Sequence, residues 1–105
     1  MTTKQLERIY KRAENGAEYL DKNHKGWWRK IRTTSLDMSD GAVCIVGQLT
    51  GGYHPEQIGV HSATRQFELG FEKAGRYGRI PSHEYYEALD EAWKIEVRAR
   101  RRARA

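Results

Sequence analysis

Large apolar side chains recur at helical spacing near both ends of the chain. In residues 4–22 and 83–100 they lie three and four positions apart, which aligns them along one face of a helix. Those faces consist of Leu6, Ile9, Tyr10, Ala13, Ala17 and Leu20 in the first segment, and of Tyr86, Leu89, Trp93 and Val97 in the last. Two one-sided helices need something to pack against, so we expect a helical bundle.

The middle of the chain supplies that packing partner. Residues 41–49 are apolar on nearly all sides and predict a central buried helix, capped by Ser39 or Asp40 and ended by Gly51. Their β-branched content leaves a strand as the alternative. A further helix is predicted over 63–74, with Ser62 as its cap. The fold class is therefore mainly α, a small single-domain bundle of three to four helices around a buried central element.

Local signals add detail to this outline. Thr34 to Asp37 has the outline of a capping box and predicts one helical turn, and Pro55 can begin another. Gly16 lowers the helix propensity of the first segment and permits another element to approach closely. Residues 75–79 are predicted to form a flexible break before the last helix.

The positive charge is concentrated at the end of the chain. The 105 residues carry a formal net charge of +5, and five arginines lie in the last eight residues, which contain no acid. Without them, residues 1–97 are formally neutral. We therefore expect one helical domain over residues 1–97, followed by an arginine-rich tail over residues 98–105, and no general nucleic-acid-binding field on the body.

Composition also favours a cytoplasmic protein. No apolar run approaches the roughly 18 residues that a membrane span requires, so no contact with a membrane is predicted. The first twelve residues are polar and charged, unlike a signal peptide. Cys44 is the single cysteine, which fits a reducing compartment.

None of the residues that could carry chemistry forms a convincing site. Cys44 lies in an apolar run and is predicted to be buried, unlike a nucleophile. His54 and His61 are seven residues apart across a loop, without the cysteines that commonly complete a zinc site. Asp37 and Asp40 are better explained as caps. We therefore predict no catalytic residue, no cofactor and no metal, and expect the protein not to be an enzyme.

Two segments are predicted to bind other molecules. Trp27 and Trp28 are adjacent and should lie in different environments. An exposed tryptophan beside Arg29, Lys30 and Arg32 would suit a protein partner, although packing of both tryptophans in the core is the alternative. The tail could follow phosphates, bind an acidic protein surface or only solubilise the chain. The candidate nucleic-acid-binding residues are Arg98, Arg100, Arg101, Arg102 and Arg104.

Short motifs spread over residues 17–97 resemble a known family. They are Tyr19-Leu20-Asp21, Gly26-Trp27, Ile31, Leu36-Asp37-Met38, Cys44 to Leu49 with Gly51 and Tyr53, Phe67 to Phe71, and Leu89 to Trp93. In this combination the chain resembles a family of small proteins from actinobacteriophages and their hosts, most specifically in its Cys-x-x-Gly-Gln-Leu segment. The resemblance implies a phage-type accessory protein in a bacterial cytoplasm, with no assigned activity and no catalytic residue.

These observations lead to two functional hypotheses. The leading one is a non-enzymatic phage-type protein that binds a host or phage protein. The alternative is a small nucleic-acid-binding protein that uses its arginine-rich tail. The sequence leaves a homo-oligomer open.

Overall fold

The computed structural model describes residues 1–72 and 80–103, and that part of the chain is helical without any strand. Its four α-helices are α1 at Thr3–Asn23, α2 at Ile45–Thr50, α3 at Ala63–Glu68 and α4 at Ser82–Ala103. Short 3-10 helices follow α1 at Trp27–Lys30 and α2 at Pro55–Ile58. The mainly α fold class is confirmed, and the strand alternative for residues 41–49 is wrong.

The two long helices, α1 and α4, pack side by side and run parallel. Leu6 near the beginning of α1 shares a groove with Ala88 in the first half of α4. Near the other end, Asp21 of α1 forms an ion pair with Arg100 of α4. The C-terminal ends of both long helices therefore lie at the same end of the molecule.

Gly16 allows α1 to contact the segment that follows α3. A Cβ built at this position would lie 2.0 Å from the carbonyl oxygen of Leu69 and 2.8 Å from the ring of Trp93. No side chain larger than hydrogen fits such a gap without a shift of the backbone. The close approach that the sequence predicted at Gly16 is present.

Trp93 is the centre of the core. Its indole stacks on the ring of Phe71 at a centroid distance of 5.7 Å and meets the ring of Trp27 edge-on, also at 5.7 Å. Its Nε1 donates a hydrogen bond of 2.7 Å to the carbonyl oxygen of Gly70. One side chain of α4 thus packs against the segment after α1 and the segment after α3, and its indole nitrogen has a hydrogen-bond partner.

Helix α2 begins later than predicted. The side chain of Asp40 accepts a hydrogen bond from the backbone N–H of Ala42 and holds a turn before the helix. Cys44 is the N-cap, its Sγ accepting from the N–H of Gly47 at 3.3 Å. The predicted caps Ser39 and Asp40 are therefore wrong, whereas Gly51, at φ 76°, ends the helix as expected.

Helix α3 is shorter than predicted. Ser62 caps it as expected, by accepting a hydrogen bond from the N–H of Arg65. The helix ends at Glu68 and not near residue 74, because Gly70 takes a left-handed conformation at φ 70° that brings its backbone against α1. The predicted break at residues 75–79 lies outside the described residues.

Two further expectations concern turns. Pro55 begins a single 3-10 turn, as predicted. The helical turn expected at residues 34–37 is wrong, because the carboxylate of Asp37 accepts hydrogen bonds from the N–H and the hydroxyl of Ser39, which favours a local turn.

Helix α4 continues without interruption through Ala103. Residues 98–103, which the sequence assigns to the arginine-rich tail, form its last turns instead of a separate segment. Arg104 lies outside the described residues.

Candidate functional site

The adjacent tryptophans diverge into two environments. Gly26, at φ 79°, begins the short 3-10 helix that turns Trp27 inward. Trp27 is 1% exposed, and its Nε1 donates a hydrogen bond of 2.9 Å to Asp21. Trp28 stays half-buried at the surface, with the guanidinium of Arg29 lying 4.9 Å from its ring centroid. Of the two tryptophans predicted to contact a partner, only Trp28 is accessible, so the assignment of Trp27 to a binding surface is wrong.

Arg100 is part of the fold. Its guanidinium pairs with the carboxylate of Asp21 at 2.7 Å and with that of Glu96 at 2.9 Å, and only 19% of its side chain is exposed. The hydrogen bond from Arg100 holds the pKa of Asp21 below its usual value, with a smaller lowering contribution from Trp27, while partial burial acts in the opposite direction. This arginine links the ends of α1 and α4 and is not free to bind a phosphate.

Arg101 joins the last turns of α4 to the segment that carries Trp28. Its Nη2 donates hydrogen bonds to the backbone carbonyl oxygens of Trp28, at 3.3 Å, and of Ile31. These contacts bring together the two segments that the sequence predicted as separate binding sites. The tryptophan patch and the arginine-rich segment therefore form one surface.

Six exposed cations lie on the two segments that Arg101 joins. None of them forms an ion pair with any residue in the described ranges. Arg98 and Arg102 are one helical turn apart on the same face of α4, next to Arg101. We call the surface formed by these cations and Trp28 the basic end; the cations are Lys25, Arg29, Lys30, Arg32, Arg98 and Arg102.

The position of the basic end has a structural cause as well. It lies at the C-terminal ends of two parallel helices, where the partial negative charge of each helix favours nearby cations. That effect is confined to the last turn of a helix and does not account for Arg29, Lys30 and Arg32, which lie beyond α1. The six positive charges therefore exceed the partial negative charge of the two helix ends.

A depression opens beside Trp28 within this surface. It has a volume of about 350 Å3 and is lined by Asp21, Lys25, Gly26, Trp28 and Arg29. The carboxylate of Asp21 is already paired with Arg100, so the unpaired charges at its wall are positive. The depression therefore combines an indole with two cations.

The remaining candidates for chemistry have structural roles or stand alone. Cys44 is 1% exposed, and burial raises the pKa of its thiol, which disfavours the reactive thiolate. His54 lies beside Glu56, and His61 is exposed on a loop. Across residues 1–72 and 80–103, no three His, Cys, Asp or Glu side chains are close enough together to hold a metal ion.

Sequence reasoning missed part of this site. Lys25 belongs to the basic end, and its proximity to Trp28 along the chain was a usable signal. The four-residue spacing of Glu96 and Arg100 also pointed to their ion pair. The pairing of Asp21 with Arg100 carried no such signal, since 79 residues separate the two.

Comparisons with known proteins add no assignment. The chain matches no protein-family model, no curated protein sequence and no solved structure. Within the described ranges, no helix combines the length and the apolar character that crossing a membrane would need.

Proposed function

We propose that this protein is a non-enzymatic nucleic-acid-binding protein whose basic end contacts the phosphate backbone. The observation that carries the proposal is that the last turns of α4 and the segment after α1, which Arg101 joins, together carry six exposed cations without an ion pair among the described residues. Lysine and arginine at such a density are the groups that replace condensed counterions along nucleic acid. The proposal keeps the binding role predicted for Arg98 and Arg102 and moves it from a tail to a structured surface.

The character of the surface favours nucleic acid over the protein partner of the leading sequence hypothesis. The core of a protein–protein interface is usually rich in aromatic and apolar residues and, apart from arginine, poor in charge. At the basic end, Trp28 is a single aromatic side chain among cations. Of the large exposed apolar side chains, Met1 and Leu6 lie near the beginning of α1, away from it, whereas Ile95 lies one helical turn before Arg98. An acidic protein surface is therefore the competing partner, and the experiment must distinguish it from nucleic acid.

The resemblance noted in the sequence adds a biological setting to the proposal. A phage-type accessory protein in a bacterial cytoplasm would meet both host and phage nucleic acid. This setting rests on the resemblance alone and is part of the proposal.

The test is the affinity for labelled duplex DNA over a salt series. Each phosphate neutralised contributes about 0.9 to the slope of log affinity against log salt, so six contacts give at most a slope of roughly 5. We expect the double variant Arg98→Gln/Arg102→Gln to weaken binding and to reduce that slope by up to about 2.

The matched control removes two exposed cations from the beginning of α1, as Lys4→Gln/Arg8→Gln. It changes the net charge equally but leaves the basic end intact, so its slope should stay close to that of the unaltered protein. Equal losses in the two double variants would overturn the assignment to the basic end. Absence of binding to both duplex and single-stranded DNA at low salt would overturn the function itself and favour the acidic protein partner.

A further inference from the structure

We infer that the depression beside Trp28 receives one unpaired nucleobase, so that the protein prefers single-stranded nucleic acid to a duplex. The inference rests on the proposed function and specifies its substrate class. It depends on the aromatic wall of the depression, whereas the proposed function depends on the cations around it.

The indole of Trp28 reaches the surface while part of it packs against the core. Trp28 is half-buried, and its backbone is fixed because its carbonyl oxygen accepts a hydrogen bond from Arg101. Trp27, its neighbour in the chain, is locked into the core. The ring is thus held by the fold in a position where a planar group can stack on it, at little cost in side-chain entropy.

The depression has room and the right charge for a nucleotide. Gly26 forms part of its wall without a side chain; a Cβ there would approach only the guanidinium of Arg29, at 3.8 Å. Lys25 and Arg29 at its rim are exposed and can reach the phosphates on either side of a bound base. Arg29 lies over the indole in the free protein, and it can exchange that contact for a phosphate when a base stacks.

This arrangement discriminates between single and double strands. Bases of a duplex are stacked on each other and paired, so they present no free face to a surface indole. A single strand presents every base in turn, and stacking on an aromatic side chain is tolerant of sequence. A duplex would meet only the cations of the basic end, whereas a single strand would meet the cations and Trp28.

The experiment compares a labelled thymidine oligonucleotide with a duplex of the same length at fixed salt, for the unaltered protein, Trp28→Ala, Trp28→Leu and Trp28→Phe. We expect the unaltered protein to bind the single strand about tenfold more tightly. Trp28→Ala and Trp28→Leu should both lose about tenfold on the single strand and nothing on the duplex, and Trp28→Phe should retain most of the affinity. Trp28→Leu keeps an apolar side chain without a π face, so it separates stacking from packing.

Intrinsic tryptophan fluorescence gives a second readout that does not rely on comparing affinities between variants. Trp27 and Trp93 are buried, so quenching by bound thymidine should come from Trp28 and disappear in Trp28→Phe. Equal affinity of the unaltered protein for the single strand and the duplex would overturn the inference and leave the proposed function standing. Equal losses of affinity for the two in Trp28→Leu would do the same. If neither the single strand nor the duplex binds at low salt, the inference and the proposed function fail together.

Discussion

Gly16 lies where α1 comes closest to the chain segment after α3. On helix propensity alone, alanine would stabilise this position by about 1 kcal/mol. The contact reverses the expected sign, since an added Cβ would lie 2.0 Å from a backbone oxygen, which cannot rotate away as a flexible side chain can.

We therefore expect Gly16→Ala to lower the free energy of unfolding by about 1–3 kcal/mol, measured by urea denaturation. Ala99→Gly in the last turns of α4 is a suitable comparison, because it tests propensity without this contact. A stabilised Gly16→Ala variant would mean that α1 does not pack as described.

Single residues also mark the limit of what could be predicted. The adjacency of Trp27 and Trp28 indicated two environments, but the choice between them depends on the left-handed Gly26 that begins the turn. Burial of Cys44 followed from its apolar neighbours, whereas its role as an N-cap did not, because sulfur is an uncommon capping atom.

The last turns of α4 contain arginines with different roles. Arg100 is enclosed by two carboxylates, while Arg102 is exposed and unpaired among the described residues. Losing the first leaves Asp21 and Glu96 without their partner, and losing the second removes only surface charge. The stability of the fold should therefore depend on Arg100 and not on Arg102.

We expect Arg100→Gln to lower the free energy of unfolding by about 1–2 kcal/mol, between the values for surface and buried ion pairs. Arg102→Gln should stay within about 0.5 kcal/mol of the unaltered protein in the same thermal or urea experiment. A chain that ends after Val97 should also be less stable, because it lacks Arg100. A tail separate from the fold would leave the stability unchanged. Equal stability of the two point variants would show that the ion pair contributes nothing.

Elements were predictable where periodicity is long and less so where local hydrogen bonds compete. The two long helices repeat their apolar face over several turns, which fixed them within a few residues of Thr3–Asn23 and Ser82–Ala103. The beginning of α2 was misjudged because Asp40 holds a turn and does not cap a helix. The end of α3 depends on Gly70, whose conformation follows from its contact with α1.

At the scale of the whole molecule, the ion pair between the long helices couples folding to pH. The folded-state pKa of Asp21 is lowered, so its stabilising contribution is complete above the ordinary value of 3.8 and is lost as the pH falls through the lower folded value. The pKa of Asp37 is lowered as well, by hydrogen bonds from Ser39, so its contribution to stability is also lost in acid. Glu72 and Asp90 act in the opposite direction, because burial raises their pKa values and protonation then favours the folded state.

Comparison with Asp21→Asn isolates the contribution of Asp21. We expect the variant to be less stable than the unaltered protein at neutral pH, and the difference to shrink as the pH falls below the ordinary value of 3.8 and Asp21 becomes protonated. Urea denaturation at a series of pH values measures it. A difference that persists unchanged into acid would assign the loss to packing and not to charge.

The basic end also shows how far sequence could specify a site. Its arginines and Trp28 were identified one by one from composition and neighbouring residues. Their union on one surface follows from α1 and α4 running parallel, which no local pattern encodes. The same pairing removes Arg100 from the site, since its partner Asp21 is 79 residues away in the chain.

The parallel arrangement of α1 and α4 has a practical consequence for handling the molecule. Helix α1 has 21 residues and is therefore about 32 Å long, in a molecule whose longest dimension is 38 Å. A fluorophore or surface tether attached at Met1 would stand almost the full length of the protein away from Trp28 and the six cations. Immobilisation through that position leaves the basic end facing the solution, whereas a tether at Ala103 would occupy it.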